Sequence, residues 1–379
     1  MIYLDNAATT FPKPAEVYDA MDRANRTMAF NAGRGAYEAA RISARLIDEV
    51  RSKISTLLHA EKCADVVFAP SVTHALNQIA WSMPIDTQAI IYLSPYEHNA
   101  VARVLQAVSR EKGCRIKLLP LAPDLKIDLD RVNYEFSMEK PSYVFVSAVS
   151  NVTGYILPAK EIFEAAKEYN AITVLDAAQA AGLLPIDMEQ IAADFVCFAG
   201  HKTLNGPFGA AGFAIRRGVE LMPLFSGGTG SDSLNLDMPS SAPSRYEASS
   251  QNVVALAGLD AALQANDIKT HFETIQKLTQ YAITRLSGLS HIHLKGAYED
   301  GSTLGILSLV VEGYSSDEVG QLLAEEYDIA VRTGYHCAPY IHNFLGDKPY
   351  HGTVRIGLGL FNTKEDIDAV VCALESLCS

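Results

Sequence analysis

The chain has 379 residues and a mass of 41.1 kDa, and is 49% hydrophobic and 20% charged, which predicts about two domains around a large core and excludes a disordered chain. Its net charge of −13, from 31 basic and 44 acidic residues, argues against general binding to nucleic acid or to an anionic membrane. No apolar run reaches the ~20 residues of a membrane span, and the start MIYLDNAATT has neither the basic nor the apolar part of a secretory signal.

The six cysteines, Cys63, Cys114, Cys197, Cys337, Cys372 and Cys378, show no Cys-x-x-Cys spacing. That excludes a disulfide scaffold and a zinc knuckle, and makes cytoplasm the expected compartment. No metal site is expected.

Taken in order, Tyr3–Leu4 is β-rich but too short to stand alone, and is expected to pack on one of the two domains. Ile42, Leu46, Ile47, Val50, Ile54 and Leu57 recur at helical spacing. Short apolar runs follow at Val66–Ala69, Ala89–Leu93, Tyr143–Ala148, Ile172–Leu175, Phe195–Ala199 and Gly212–Ile215, with amphipathic stretches between them. Continuous apolar strands alternating with helices predict an α/β core with a mostly parallel sheet covered on both faces. A long helical region is expected over about 255–286, with Phe272, Ile275, Leu278 and Ile283 on one face. Further strands are expected at Gly305–Val311, Ile329–Arg332 and Val354–Gly357. A last helix carries Ile367, Val370, Val371, Leu374 and Leu377, and is capped by Thr363 with Asp366. This pattern predicts a large domain over 15–275 and a small α+β domain over 276–379 that includes 1–14.

The chemistry concentrates at strand ends. In DFVCFAGHKTLNGPFGAAG, an apolar strand ends at Gly200-His201-Lys202 before a Gly-rich loop. Lys202 is either a solvated surface lysine or a nucleophile whose pKa is lowered in a dry pocket. In AITVLDAAQ the strand ends at Asp176. This residue is either a helix cap or the carboxylate that keeps the ring nitrogen of pyridoxal phosphate protonated, so that the ring can act as an electron sink. Such a pocket also needs a phosphate cradle, a ring stack, a carboxylate clamp and a reacting group.

Pro70–Asn77 opens a helix whose N–H groups, with Thr73, suit a phosphate, though ordinary capping by Ser71 or Thr73 reads as well. His98, after the Ala89–Leu93 strand, is either solvated or laid on the ring. Arg355, inside an apolar strand, demands an anion, which is either an internal carboxylate or a substrate's. Cys337, in VRTGYHCAP, has the polar surroundings of a reactive thiol, with His336 and Arg332 as candidate cationic partners. Cys197 and Cys372 read as inert core, and Cys63 and Cys114 as structural. No Gly-x-Gly-x-x-Gly follows an early strand, which counts against a dinucleotide enzyme.

Tyr3–Thr10, the His98 segment, Ser150–Gly154, Asp176–Gln179, Gly200–Lys202, Arg332–Ala338 and Val354–Arg355 together resemble, in order and over the whole chain, the fold-type I pyridoxal-phosphate enzymes of aminotransferase class V. Within that class the chain resembles the cysteine desulfurases and selenocysteine lyases. The resemblance implies that Lys202 bonds the cofactor and moves protons, Asp176 pairs with the pyridine nitrogen, and Gln179 bonds the ring hydroxyl. It implies that His98 stacks on the ring and acts in proton transfer, that Thr73 and His201 bind the phosphate, and that Ser250 does so from a neighbouring subunit. Asn151 and Arg355 would position the amino acid, Asn31 matches an active-site asparagine, and Cys337 would attack the substrate sulfur or selenium.

Arg-x-Gly-x-His-Cys-Ala is similar to the group II desulfurases, whose short cysteine loop often works with a sulfur-acceptor protein. The resemblance also implies a homodimer and L-cysteine or L-selenocysteine as substrate. Transamination, epimerisation, C–S cleavage to pyruvate and a non-catalytic cofactor-binding role remain as rivals. The chain departs from the family at Ala199, where a serine is usual, at Ser71–His74, at Gly227–Ser231, at Tyr335 and after Asn31.

Overall fold

A computed structural model describes residues 1–33, 35–230 and 234–377. Ser231 and Cys378, named above, and Arg34, three residues after Asn31, lie outside the described residues. The first half contains β1 (Ile2–Tyr3), α1 (Ala15–Thr27), α2 (Glu38–Leu57), β2 (Ala64–Ala69), α3 (Val72–Ser82), β3 (Ile90–Leu93), α4 (Asn99–Lys112), β4 (Arg115–Leu118), α5 (Leu129–Met138) and β5 (Tyr143–Ser147). α6 (Ala159–Lys167), β6 (Ile172–Asp176), β7 (Phe195–Ala199), β8 (Ala211–Arg216), α7 (Val253–Ala265) and α8 (Ile268–Ser287) follow. The last part holds β9 (Ile292–Lys295), β10 (Ile306–Val311), α9 (Ser316–Tyr327), β11 (Ile329–Ala330), β12 (Arg332–Gly334), β13 (Thr353–Gly357) and α10 (Lys364–Ser376).

Among the described residues the strands form a seven-stranded sheet ordered β2-β8-β7-β6-β5-β3-β4, a four-stranded antiparallel sheet ordered β12-β13-β10-β9, and the parallel pair β1-β11. In the large sheet β3 to β7 pair in parallel, and β8 runs antiparallel to both neighbours. Successive side chains of a strand point to opposite faces, so Phe195 and Cys197 enter one core and Val196 and Phe198 the other. Helices cover both faces, which is why these strands read as unbroken apolar runs.

The sequence reading missed two strands. β4 (Arg-Ile-Lys-Leu) and β9 (Ile-His-Leu-Lys) lie at sheet edges and carry polar side chains at alternate positions. The expected single helix over 255–286 is two, divided at Asn266–Asp267, where Asp267 accepts from the first N–H groups of α8. α8 runs unbroken through residue 276. The Ile329–Arg332 run divides between β11 and β12, which belong to different sheets. The cap of α10 is as expected, with Asp366 accepting from the Thr363 N–H at 3.1 Å. Cys372 corrects an expectation: it is exposed on α10, because the buried stripe passes through Ile367, Val370, Val371 and Leu374.

The chain leaves β3 outward to β4 and then returns to β5 on the other side of β3. Such a reversal opens a crevice at the carboxyl ends of the strands. Residues 2–10 strap the small sheet to that crevice. β1 pairs with β11, Asp5 bridges to Gly357, and the Thr10 N–H donates to the His201 carbonyl at 3.0 Å.

Candidate active site

Four consecutive parallel strands deliver one group each to the crevice. His98 follows β3, Asn151 follows β5, Asp176 ends β6 and Lys202 follows β7. The turn into Lys202 requires Gly200, since a Cβ there would lie 2.3 Å from the Ala210 carbonyl oxygen. A cavity of about 250 Å³ joins these four to Thr73 and Ser71 of the α3 N-terminus, to His201 and Ala199, and to Arg332, His336, Cys337 and Arg355 from the small sheet and its loop.

Asp176 is buried and accepts from the Ala178 N–H at 2.9 Å. Burial raises its pKa and the Lys202 charge opposes the rise. Lys202 keeps some contact with the cavity, yet enclosure of its amine lowers its pKa against the pull of Asp176. This favours a neutral, nucleophilic amine. His98 Nδ1 accepts from the Ala100 N–H at 3.0 Å, so in the neutral ring the proton sits on Nε2. Burial, reinforced by the Lys202 charge, lowers its pKa to about 4. His201 stacks on Phe208 at 4.4 Å between centroids, and burial likewise lowers it to about 4.

Arg355, only 2% exposed, is held from two sides. It donates to the Asn151 carbonyl at 2.9 Å and to Asp5 Oδ1 at 2.8 Å. Strand register sets Arg332 directly opposite Arg355, a repulsive pairing. Asp5 relieves it by facing both, with Arg332 3.6 Å from its other oxygen. The internal carboxylate that the sequence left open is therefore Asp5. Sequence reasoning assigned it no role; the only signal was a carboxylate directly after a short apolar strand.

Asn151 also donates its side-chain amide to the His336 carbonyl at 2.7 Å, and the Asn99 N–H donates to the Cys337 carbonyl at 2.6 Å. These bonds fix a turn in which His336 and Cys337 both take positive φ, 44° and 57°, a costly backbone for residues other than glycine. His336 corrects an expectation. Its Nε2 faces Thr353 Oγ1 at 2.8 Å, and burial lowers its pKa to about 2, so it is neutral and no cationic partner for the thiol. The basic side chains that share the cavity with Cys337 are Lys202, Arg332 and Arg355.

Gln179 is buried, but its amide donates to the Ala7 carbonyl at 2.7 Å and it lines a small adjoining cavity with Asn6 and Thr10. Asn31 and Ser250 stand apart from Lys202. Asn31 donates to Ser250 Oγ at 3.0 Å, and both line a separate cavity of about 600 Å³ with Asp48 and Glu247.

Among the described residues, His201 Nδ1 and Arg355 Nε are buried without a hydrogen-bond partner. With the α3 N-terminus they supply unspent donors for anions. An enclosed primary amine and a buried carboxylate face the same space. This donor set fits a phosphorylated carbonyl cofactor with a basic ring nitrogen, and it fits an amino-acid carboxylate at Arg355.

The strand order and the lysine–carboxylate pair define an α/β enzyme of the fold-type I class. Residues 2–370 match the aminotransferase class-V family, and the chain belongs to it. It is 31% identical to a probable cysteine desulfurase of Halalkalibacterium halodurans, covering 99% of this chain and 92% of that protein. Among solved structures, it is similar to the apo cysteine desulfurase of Thermococcus onnurineus, with TM-score 0.89 and 26% identity over 99% of this chain and 94% of that one. It is also similar to the cysteine desulfurase CsdA (S-sulfonic acid) of Escherichia coli, with TM-score 0.85 and 28% identity over the same shares. No helix among the described residues is long and apolar enough to cross a membrane.

Proposed function

We propose that this chain is a pyridoxal-phosphate-dependent cysteine desulfurase that converts L-cysteine to L-alanine and keeps the sulfur as a persulfide on Cys337. The observation that carries this reading is Cys337 on the wall of the cavity that holds Lys202, Asp176 and Arg355. The names of the relatives agree with it.

The cofactor would be held by Lys202, by Asp176 at its ring nitrogen, by His98 against its ring, by Gln179 at its ring hydroxyl, and by Thr73 and His201 at its phosphate. When bound, pyridoxal phosphate supplies an electron sink for the pair released as the Cα–H bond breaks. Arg355 holds the substrate carboxylate, with Asn151 keeping the guanidinium in place and Arg332 adding positive charge at the rim. The Lys202 amine, whose enclosure lowers its pKa, takes the Cα proton and returns one to the product. Cys337 Sγ takes the sulfur.

The hydrogen-bonded pair of Asn31 and Ser250 is assigned to the cavity of a second copy in a homodimer. What supports this is that both side chains suit the site yet lie outside its cavity in their own chain. The chain is read as a large unit over 15–275 and a small unit over 276–379 with 1–14. The separate membership of the two larger sheets supports that division.

The test is alanine release from L-cysteine and from L-selenocysteine, with Cys337→Ala and Lys202→Ala alongside. Desulfuration of cysteine is expected to stop in both variants. Alanine from selenocysteine alone, surviving in Cys337→Ala, would make the protein a selenocysteine lyase. Activity in Lys202→Ala would overturn the scheme.

A further inference from the structure

Cys337 borders two cavities. Behind it lies the cavity with Lys202. In front lies a cleft of about 910 Å³, which shares with the first only Arg332, His336 and Cys337. One wall of the cleft is a face of α4 on which Asn99, Arg103, Gln106 and Arg110 recur at spacings of three and four. Arg103 and Arg110 are two turns apart, about 10 Å along the axis, and form a line of charge that leads to the thiol. Lys348 adds a cation on the other wall and Arg332 one beside Cys337.

Among the described residues no aspartate or glutamate lines this cleft, although acidic residues outnumber basic ones in the chain as a whole. Arg103 and Arg110 are exposed and form no ion pair among the described residues. The charge is therefore uncompensated, and a cleft of about 910 Å³ has room to seat a small molecule against these cations.

We propose that this outer cleft is the port through which sulfur leaves, and that it admits a low-molecular-weight thiol carrying two or more negative charges. The proposal rests on the desulfurase reading above. The acceptor thiolate attacks the outer sulfur of the Cys337 persulfide. The bond between that sulfur and Cys337 Sγ breaks, its electron pair stays on Sγ as thiolate, and the acceptor departs as a persulfide bearing the proton of the outer sulfur. No external oxidant or reductant is consumed.

The test loads the holoenzyme with one equivalent of L-cysteine, measures alanine and persulfide, and then follows discharge to mercaptosuccinate, a thiol with two carboxylates, and to neutral 2-mercaptoethanol. Per thiolate and at low salt, mercaptosuccinate is expected to discharge the persulfide about tenfold faster. In the double variant Arg103→Gln/Arg110→Gln that ratio should fall close to one, with loading and the 2-mercaptoethanol rate unchanged. High salt should lower the wild-type ratio in the same way. An unchanged ratio in the variant, no preference in the wild type, or discharge to protein thiols alone would overturn the port. Absence of both alanine and persulfide would overturn the desulfurase reading, and the port with it.

Discussion

Asp5 Oδ1 lies 2.8 Å from the Arg355 guanidinium, and its other oxygen lies 3.6 Å from Arg332. One carboxylate thus offsets two arginines that strand pairing forces together, in the place where a substrate carboxylate would bind. Asp5→Asn is expected to leave Arg355 buried without a counter-ion and to lower stability by about 3 kcal/mol, measured by denaturant unfolding. Alanine, whose carboxylate can replace the lost charge, should restore more stability to the variant than to the wild type. Equal stabilisation of both proteins would show that Asp5 and the ligand do not share the arginine.

Asn151 holds the Cys337 turn by its side chain and Arg355 by its carbonyl. Asn151→Ala keeps the carbonyl and removes only the bond to His336. Single-turnover persulfide formation is expected to slow by roughly ten- to hundredfold, as for a reacting group displaced by a fraction of an ångström. Cofactor absorbance should not change. A loss of bound cofactor instead would place Asn151 on the cofactor rather than on the loop.

Ala199 ends β7 against the cavity, at the position where the family resemblance leads to the expectation of a serine. Ala199→Ser adds one hydroxyl at a position that is already walled in. One further hydrogen bond of about 1 kcal/mol should tighten cofactor binding roughly fivefold, measured as slower loss of the cofactor on dialysis. Unchanged or faster loss would mean that the hydroxyl does not reach the phosphate.

Burial places His98 and His201 at about 4 and His336 at about 2, below the ordinary 6.5. At these three rings, between those values and 6.5, the unfolded chain binds more protons than the folded one, so their contribution to stability rises with pH and is lost as pH falls below 6.5, opposed in part by Glu97, whose burial raises its pKa to about 7. Each group steepens the folding equilibrium by up to about tenfold per pH unit. Urea midpoints of the cofactor-free protein should therefore fall from about pH 6.5 down to about pH 4, and His336→Gln should flatten the profile. A profile level across that range would contradict the buried, neutral state of these rings.

The strand ends were legible because each is an apolar run broken by one polar group, as at Asp176 and Lys202. Edge strands β4 and β9 were not, since half of their side chains face water and the alternating polar positions hide the run. Asp5 was unreadable as a counter-ion because its partner is 350 positions away. His336 was misread because adjacency to Cys337 does not fix where a ring points. In the turn with two positive φ values its ring goes to Thr353. Cys372 sits within the apolar last helix, but one residue's step around a helix is enough to take it off the buried stripe.

The strap of residues 2–10 has a consequence for how the molecule comes into being. Leu4 is buried against the small sheet, and Asp5 and Asn6 bond Arg355 and Gly357, so the carboxylate clamp joins stretches of chain separated by some 350 positions. Contacts that close so long a loop form late in folding. During synthesis the lysine and its carboxylate can meet in a nascent chain that has the large sheet but not yet β13. That chain would have the lysine and its carboxylate in place before it could hold an amino acid, and the carboxylate clamp would be complete only when residue 355 arrives.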